Sequence, residues 1–381
     1  MDKPDKNMPD LKLKILISIL ALLFSVTVKS YSQLVAPGYD FAVIAYCHGA
    51  PDDLEAYPVD QLTHIIYSFL HLDGNRLVAG EHDSIAITKL MGLKVRNPQL
   101  KIILSLGGWG GCPTCPDVFS TEAGRNEFSN SVKLLLEKFN ADGLDLDWEY
   151  PALASNPGFK YSDEDKPNFT LLIRSMRETL GAKYEISFAA GGFTEFFIKS
   201  VEWDKVMPLL NRVNIMTYDY INGYSTNTGH HTPLFPTPEQ PESTDHAVQF
   251  LDSLGVPKNK MVIGAAFYAR IFRDVDSINN GLYRDCRFEG FIGYRHFDDY
   301  FGKHPGFRFY WDDTAKAPYA YNPREQLFAT FDNKQSIQLK TRYAVGKGLN
   351  GIMFWSLNGD MPENGLISVI HETLNQKPSP K

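Results

Sequence analysis

The chain has 381 residues, with hydrophobic residues at 43% and aromatic residues at 13%, enough apolar material for one large α/β domain with a small addition. A formal net charge of −7 and a pI near 5.8 argue against a nucleic-acid partner, which favours a basic patch. A neutral polysaccharide needs no such charge, and its sugar rings present C–H faces that stack on aromatic side chains.

The chain opens on a basic segment, Lys12 to Lys14, followed by an apolar run from Ile15 to Val28 and then Ser30-Tyr31-Ser32-Gln33. This pattern reads as a secretory signal peptide over residues 1–32, cleaved before Gln33 at the small residues Ser30 and Ser32. An uncleaved anchor is the weaker reading, because the run falls short of the roughly 20 residues a spanning helix needs. The expectation is a secreted or periplasmic protein, without a membrane partner once the signal is removed.

Short β-rich runs then recur at Phe41–Tyr46, His64–Phe69, Lys101–Gly107, Gly143–Trp148, Glu185–Ala190, Arg212–Thr217, Met261–Phe267 and Gly351–Ser356. Eight such runs, with helix-period segments between several of them, predict an α/β fold, a (β/α)8 TIM barrel. Asn126–Phe139 places Phe128, Val132, Leu135, Leu136 and Phe139 on one stripe, and Phe169–Leu180 and Glu325–Val345 read the same way. The gap after the seventh run is too long for one crossover. Residues 271–323, with strand-like pieces at Gly290–Tyr294 and Arg308–Trp311, are expected to form a small α+β insertion between strand 7 and strand 8.

Four cysteines are few for an exported chain of this length, so no disulfide framework is expected. Cys112 and Cys115 favour a local disulfide over a redox pair, which would sit in a strand-helix context. A zinc site would need a second ligand pair. Cys47 and Cys286 stay undecided between free and paired.

The fourth run, Asp142-Gly143-Leu144-Asp145-Leu146-Asp147-Trp148-Glu149-Tyr150-Pro151, carries the chemistry. Alternate strand positions share a face, so Asp145, Asp147 and Glu149 point into the barrel while Leu144, Leu146 and Trp148 point toward the helices. Pro151 cannot continue a central ladder, which puts Glu149 at the C-terminal mouth where barrel enzymes keep their active sites. Acids that repel one another out of water hold a proton well above the usual carboxyl range, and that makes a general acid. A divalent-metal site is the competing reading, but metal carboxylates usually converge from several elements. No metal and no cofactor are expected. Asp142 has the opposite parity and reads as a structural cap at the strand entrance.

This run resembles the signature of glycoside hydrolase family 18, the chitinases and their relatives. Ser105-Leu106-Gly107-Gly108-Trp109, Met216-Thr217-Tyr218-Asp219-Tyr220, Thr228-Gly229-His230 and Gly351-Ile352-Met353-Phe354-Trp355-Ser356 follow in the family's order. The resemblance implies that Glu149 is the proton donor, that Asp147 orients the substrate's acetamido group, and that Asp145 lies behind it. It implies further that the Tyr218 hydroxyl meets the acetamido carbonyl, that Asp219 contacts the sugar, and that Trp355 floors the cleaved residue, with Met216 on the face of Tyr218. Tyr46, Phe69, Trp109, Tyr268 and Arg270 stand at or near other strand ends. For each of these, packing inside the barrel explains the residue as well as ligand contact does.

The expected activity is a retaining, substrate-assisted chitinase acting on chitin or chitooligosaccharides, as a monomer. An endo-β-N-acetylglucosaminidase acting on glycoprotein glycans is a second reading, though such relatives commonly lack the insertion. A chitin-binding lectin is a third, and retention of Glu149 with both aspartates speaks against it.

Overall fold

The computed structural model describes residues 41–376, so the segment read as a signal peptide lies outside the described residues. Seven barrel strands come first in the chain: β1 (Ala42–His48), β2 (His64–Asp73), β4 (Lys101–Gly107), β5 (Gly143–Asp147), β6 (Glu185–Gly191), β7 (Arg212–Met216) and β8 (Met261–Ala266), with a short β3 (Arg76–Val78) forming a hairpin on β2. β14 (Gly351–Trp355) is the eighth. It pairs in parallel with β8 on one side and β1 on the other, and β1 pairs with β2, which closes the barrel. Every run expected from sequence is a strand, with small shifts at the ends.

Alternation sorts the strand residues as expected. Inside, Ala42, Ile44, Tyr46, Ile66, Ile103, Val262 and Met353 form one apolar cluster. Outside, Leu104, Leu106, Leu144 and Leu146 join the much larger core beneath the helices. The helix Glu122–Phe139 begins where the Thr121 hydroxyl accepts the Gly124 N–H at 3.0 Å and ends at Asn140 in the left-handed region, a usual pair of start and stop devices. Its stripe buries Phe128, Val132 and Leu136. Each large side chain so covered contributes about 2 kcal/mol of hydrophobic free energy, and Phe119 meets Phe128 edge-on at 5.1 Å.

The long seventh crossover holds a separate antiparallel sheet. β9 (Tyr268–Arg273), β10 (Arg287–Gly293), β11 (Arg308–Asp312), β12 (Ala317–Asn322) and β13 (Leu327–Phe331) run in the order β10-β9-β13-β12-β11, with one helix, Phe297–Lys303. The strands reach beyond residues 271–323 at both ends. The helix expected over Glu325–Val345 starts only at Lys334. Leu327–Phe331 is instead a strand buried along its whole length, paired on both edges. A short, largely apolar run of this kind carries no clear period; it is the return arm of a hairpin with β12, and its other partner, β9, is remote in sequence. Asn333 then caps the true helix, its side chain accepting the Ser336 N–H at 2.9 Å.

One glycine fixes the mouth of the barrel. Gly107 has φ +114°, and a Cβ there would stand 2.1 Å from the Asp147 carbonyl oxygen. That carbonyl accepts the Gly108 N–H at 2.9 Å, so the ends of β4 and β5 lie against each other where Asp147 turns inward.

Candidate active site

β5 delivers a column of acids. Asp145, fully buried, receives four donors: the hydroxyls of Tyr46 (3.1 Å) and Ser105 (3.1 Å) on Oδ2, and the Ser187 hydroxyl (2.6 Å) and Asn214 amide (3.1 Å) on Oδ1. Burial raises its pKa and these bonds pull the other way. Four donors fill the lone pairs of a carboxylate, which holds Asp145 as the better-satisfied anion of the column. Asp147, next on the same face, has no hydrogen-bond partner on Oδ1. Burial, then the charges of Glu149 and Asp145, push its pKa far up, so the proton in this stack is best held at Asp147. Glu149 lies just past the strand end, half-buried, and its pKa is raised to about 7, chiefly by burial, with Asp219 adding to the rise and a Tyr150 hydrogen bond opposing it. Asp142 faces away: Oδ2 accepts the Ile102 N–H at 2.7 Å and Lys94 Nζ at 2.6 Å, tying the entrances of β4 and β5 together.

Opposite the acids, the segment after β7 presents Tyr218 and Asp219. The Tyr218 hydroxyl points to Met353 Sδ at 3.8 Å, and its ring is admitted by Gly264, where a Cβ would come within 2.8 Å of it. Asp219, with φ +59°, is gripped by the fork of Arg270 from β9, at 2.8 Å and 2.6 Å. Burial would raise the pKa of Asp219, but the hydrogen bonds of His231 and Arg270 outweigh it and hold the carboxyl well below its usual range. Arg270 itself lies over the Tyr268 and Phe288 rings, at 5.3 Å and 5.6 Å. Trp355, at the end of β14, stacks on Phe69 at 5.6 Å with 12° between the rings.

These groups open onto one cleft of about 1570 Å³. Asp147, Glu149, Met216, Tyr218, Asp219, Phe69, Trp109, Tyr268, Arg270 and Trp355 all line it. Tyr46 does not; it is 1% exposed and sits one layer down, its hydroxyl spent on Asp145. Of the two readings left open for Tyr46, barrel packing describes its place here: it faces inward, but β1 carries it below the mouth. Thr228 and His230 also lie away from the site. Thr228 Oγ1 donates to the Gly281 carbonyl at 2.6 Å and His230 Nε2 meets Asp312 at 2.9 Å, which docks this loop onto the insertion.

Sequence reasoning passed over several residues. Ser105 and Asn214 stand inside motifs or runs already singled out, and alternation alone would have placed them beside Asp145. Tyr150 also stands inside the quoted run, directly after Glu149, whereas Phe193, Tyr224 and Phe291 come from loops or the insertion and carry no such signal. Trp109 (47% exposed) and Tyr224 (65% exposed) meet at 6.0 Å, and Trp109 meets Tyr150 at 6.3 Å, an aromatic wall suited to sugar faces. Cys112 and Cys115, in the loop behind Trp109, form a disulfide; Cys47 and Cys286 are free thiols. Among the described residues, no group of three or more His, Cys, Asp or Glu side chains is placed to hold a metal ion.

The chain matches the model of "Glycosyl hydrolases family 18" over residues 42–360. It is 36% identical over 300 residues to Chitinase A1 of Niallia circulans, covering 72% of this chain and 42% of that protein. It is 30% identical over 366 residues to Chitinase 1 of Aphanocladium album, covering 86% and 82%. Among solved structures, a family 18 N-acetylglucosaminidase from Paenibacillus barengoltzii superposes with a TM-score of 0.80 at 35% identity, covering 87% of this chain and 99% of that one.

Proposed function

Because this chain belongs to the glycosyl hydrolases of family 18, we propose that it is a chitinase, cleaving β-1,4-linked N-acetylglucosamine polymers with retention of configuration and with Glu149 as general acid and base. The observation that carries the reading is the column Asp145, Asp147, Glu149, which opens onto a cleft paved by Trp355 and Phe69. Glu149, protonated near neutral pH, donates to the leaving oxygen. The substrate's own 2-acetamido oxygen attacks the anomeric carbon, and water, activated by the ionised Glu149, opens the resulting oxazolinium ion. Substrate assistance is the family's departure from the two-carboxylate scheme. What the geometry adds is support: the other acids of β5 lie below Glu149, where neither can flank a sugar as an opposed nucleophile. The free oxygen of Asp147 is suited to accept the amide N–H of the acetamido group, its carboxyl once ionised is suited to the positive charge of the oxazolinium ion, and Tyr218 stands across from it.

The proposal includes export with cleavage near Gln33, a catalytic domain over residues 33–381 with an insertion around 271–323, and a monomeric enzyme. The likeness to the Paenibacillus N-acetylglucosaminidase favours a second reading, release of single N-acetylglucosamine units. Product analysis on chitin oligomers of defined length, beside a glycoprotein, separates the readings. Dimers and longer fragments support a chitinase, monomers alone support the second reading, and cleavage confined to the glycoprotein would overturn both.

The pH dependence follows from Glu149. Its acid form is required for the first step, and its pKa of about 7 means that the competent form is present below pH 7 and lost above it. The alkaline limb of kcat/KM is expected near pH 7, far above an ordinary carboxyl titration. Asp219→Asn removes a charge that holds Glu149 up, and should move that limb to lower pH. A limb unmoved in the variant would remove Asp219 from the electrostatics of the acid.

A further inference from the structure

Behind the cleft, where barrel and insertion meet, lies a charged pair that the chemistry above does not use. Lys340, on the helix Lys334–Lys347, and Asp332, just past β13, both have fully buried side chains, with Nζ 2.7 Å from Oδ2. The same Oδ2 accepts the N–H of Ala266, the last residue of β8, at 3.0 Å, while Oδ1 accepts the Ser336 hydroxyl at 2.6 Å. Lys340 also donates to Thr232 Oγ1. That oxygen stands 3.2 Å from the Thr217 carbonyl and 3.2 Å from Asp332 Oδ2.

The hydrogen positions follow from valence. An ammonium only donates, so Thr232 Oγ1 accepts from Lys340 and has a single hydrogen left to give. Asp332 Oδ2 already takes Lys340 and Ala266, which leaves the Thr217 carbonyl as the acceptor in want of a donor. Thr217 sits between Met216 and Tyr218. Its own hydroxyl accepts the Gly264 N–H at 2.9 Å and donates to the Gly264 carbonyl at 2.8 Å. The neighbour of Thr232, His231, accepts the Tyr220 N–H on its carbonyl at 3.2 Å and holds its ring 3.5 Å from Asp219. The chain of contacts therefore leads from a buried lysine to both ends of the segment that carries Tyr218 and Asp219.

A buried ion pair is a poor device for stability alone, because desolvation opposes the attraction and apolar replacements of a whole pair are often neutral or better. We propose that Lys340 is a positioning residue: through the Thr232 hydroxyl it fixes the Thr217 carbonyl and thereby sets where Tyr218 and Asp219 stand against the substrate. The inference rests on the hydrolase reading above.

A readout distinct from stability comes from Glu149. The charged and titratable groups placed around it are Asp147 and Asp145 on its own element, Tyr150 beside it, Tyr218 and Asp219 from the segment after β7, His231 from the following loop, and Arg270 from β9. Tyr218 and His231 adjoin Thr217 and Thr232 in sequence, and Asp219 follows Tyr218. Of these, Asp219 raises the pKa of Glu149.

The test uses the full-length enzyme and a soluble N-acetylglucosamine oligomer that the wild type turns over. Thr232→Val removes the hydroxyl and leaves the ion pair in place. The expected result is a fall in kcat of about tenfold, in keeping with the sensitivity of rate to small displacements, with KM and Tm little altered and the alkaline limb moved to lower pH. Thr232→Ser restores the hydroxyl and should restore both kcat and the limb. Wild-type kcat and limb in T232V would overturn the proposal, as would a loss of activity explained entirely by a smaller folded fraction. Should T232V fail to fold, the D332N/K340M pair, neutral and similar in shape, carries the same expectation; failure of both to fold would assign the network to stability and overturn the positioning role. Failure of the chitinase reading shows elsewhere, in which glycan the wild type prefers.

Discussion

Glu149→Gln is expected to lower kcat by about 10⁴, the upper end of the usual range for a general acid–base group, because one side chain serves both halves of the reaction. The amide keeps the shape and polarity of the carboxylic acid but has no proton to give to the leaving oxygen and cannot deprotonate water. Oligosaccharide binding should change little, since the aromatic surfaces of Trp355, Phe69 and Trp109 are untouched. The loss therefore falls on kcat rather than KM. Removing the carboxylate also takes away a charge that raises the Asp147 pKa, so the ligand-bound variant should hold Asp147 closer to its ordinary titration. Steady-state kinetics and calorimetric titration with a chitin oligomer measure both halves of this statement. A variant that turned over within a few fold of wild type would place the acid elsewhere.

Replacing the acetamide by a free amine on the sugar whose bond is broken should stop the chemistry while allowing binding. The attacking oxygen is gone, and the ammonium ion left beside Asp147 favours loss of the proton that this acid holds, after which the two charges attract. The expected signature is a collapse in kcat larger than any rise in KM, and an initial product of β configuration from the acetylated substrate. A stable thiazoline analogue of the bicyclic intermediate should inhibit better than the plain sugar. Following the product anomer by NMR during early hydrolysis, and comparing acetylated with deacetylated oligomers, tests the mechanism directly. An α product, or undiminished cleavage of the deacetylated sugar, would mean that Asp147 and Tyr218 do not work by steering an acetamido group.

Much of this architecture was legible because the barrel repeats one simple rule. Strand runs separated by helix-period stretches, with inner and outer residues alternating, gave the eight strands and put Asp145, Asp147 and Glu149 on one face. The rule failed where its premise failed. Leu327–Phe331 is apolar except for Thr330 and buried on both faces, so no period marked it as a strand, and its pairing with β9 and β12 makes it one. Alternation also places a residue on a face without giving its height. Tyr46 and Asp147 both point inward, yet one braces Asp145 from below and the other lines the cleft. The grip of Arg270 on Asp219 joins residues on separate elements, a pairing that composition and spacing do not encode. The aromatic wall of Trp109, Tyr150 and Tyr224 depends on loops whose paths are set by tertiary packing.

The closure of the barrel has a consequence for the order in which the protein can be made. β1 pairs with β14, Ala42 against Gly351 and Tyr46 against Trp355, so the first barrel strand waits for the last one. Until then its edge is unsatisfied, and the floor of the cleft, which needs Trp355, does not exist. Such remote pairing slows folding by the loop entropy that must be lost first. A barrel sealed by its first and last strands commits to a closed shape only once the sealing strand is present.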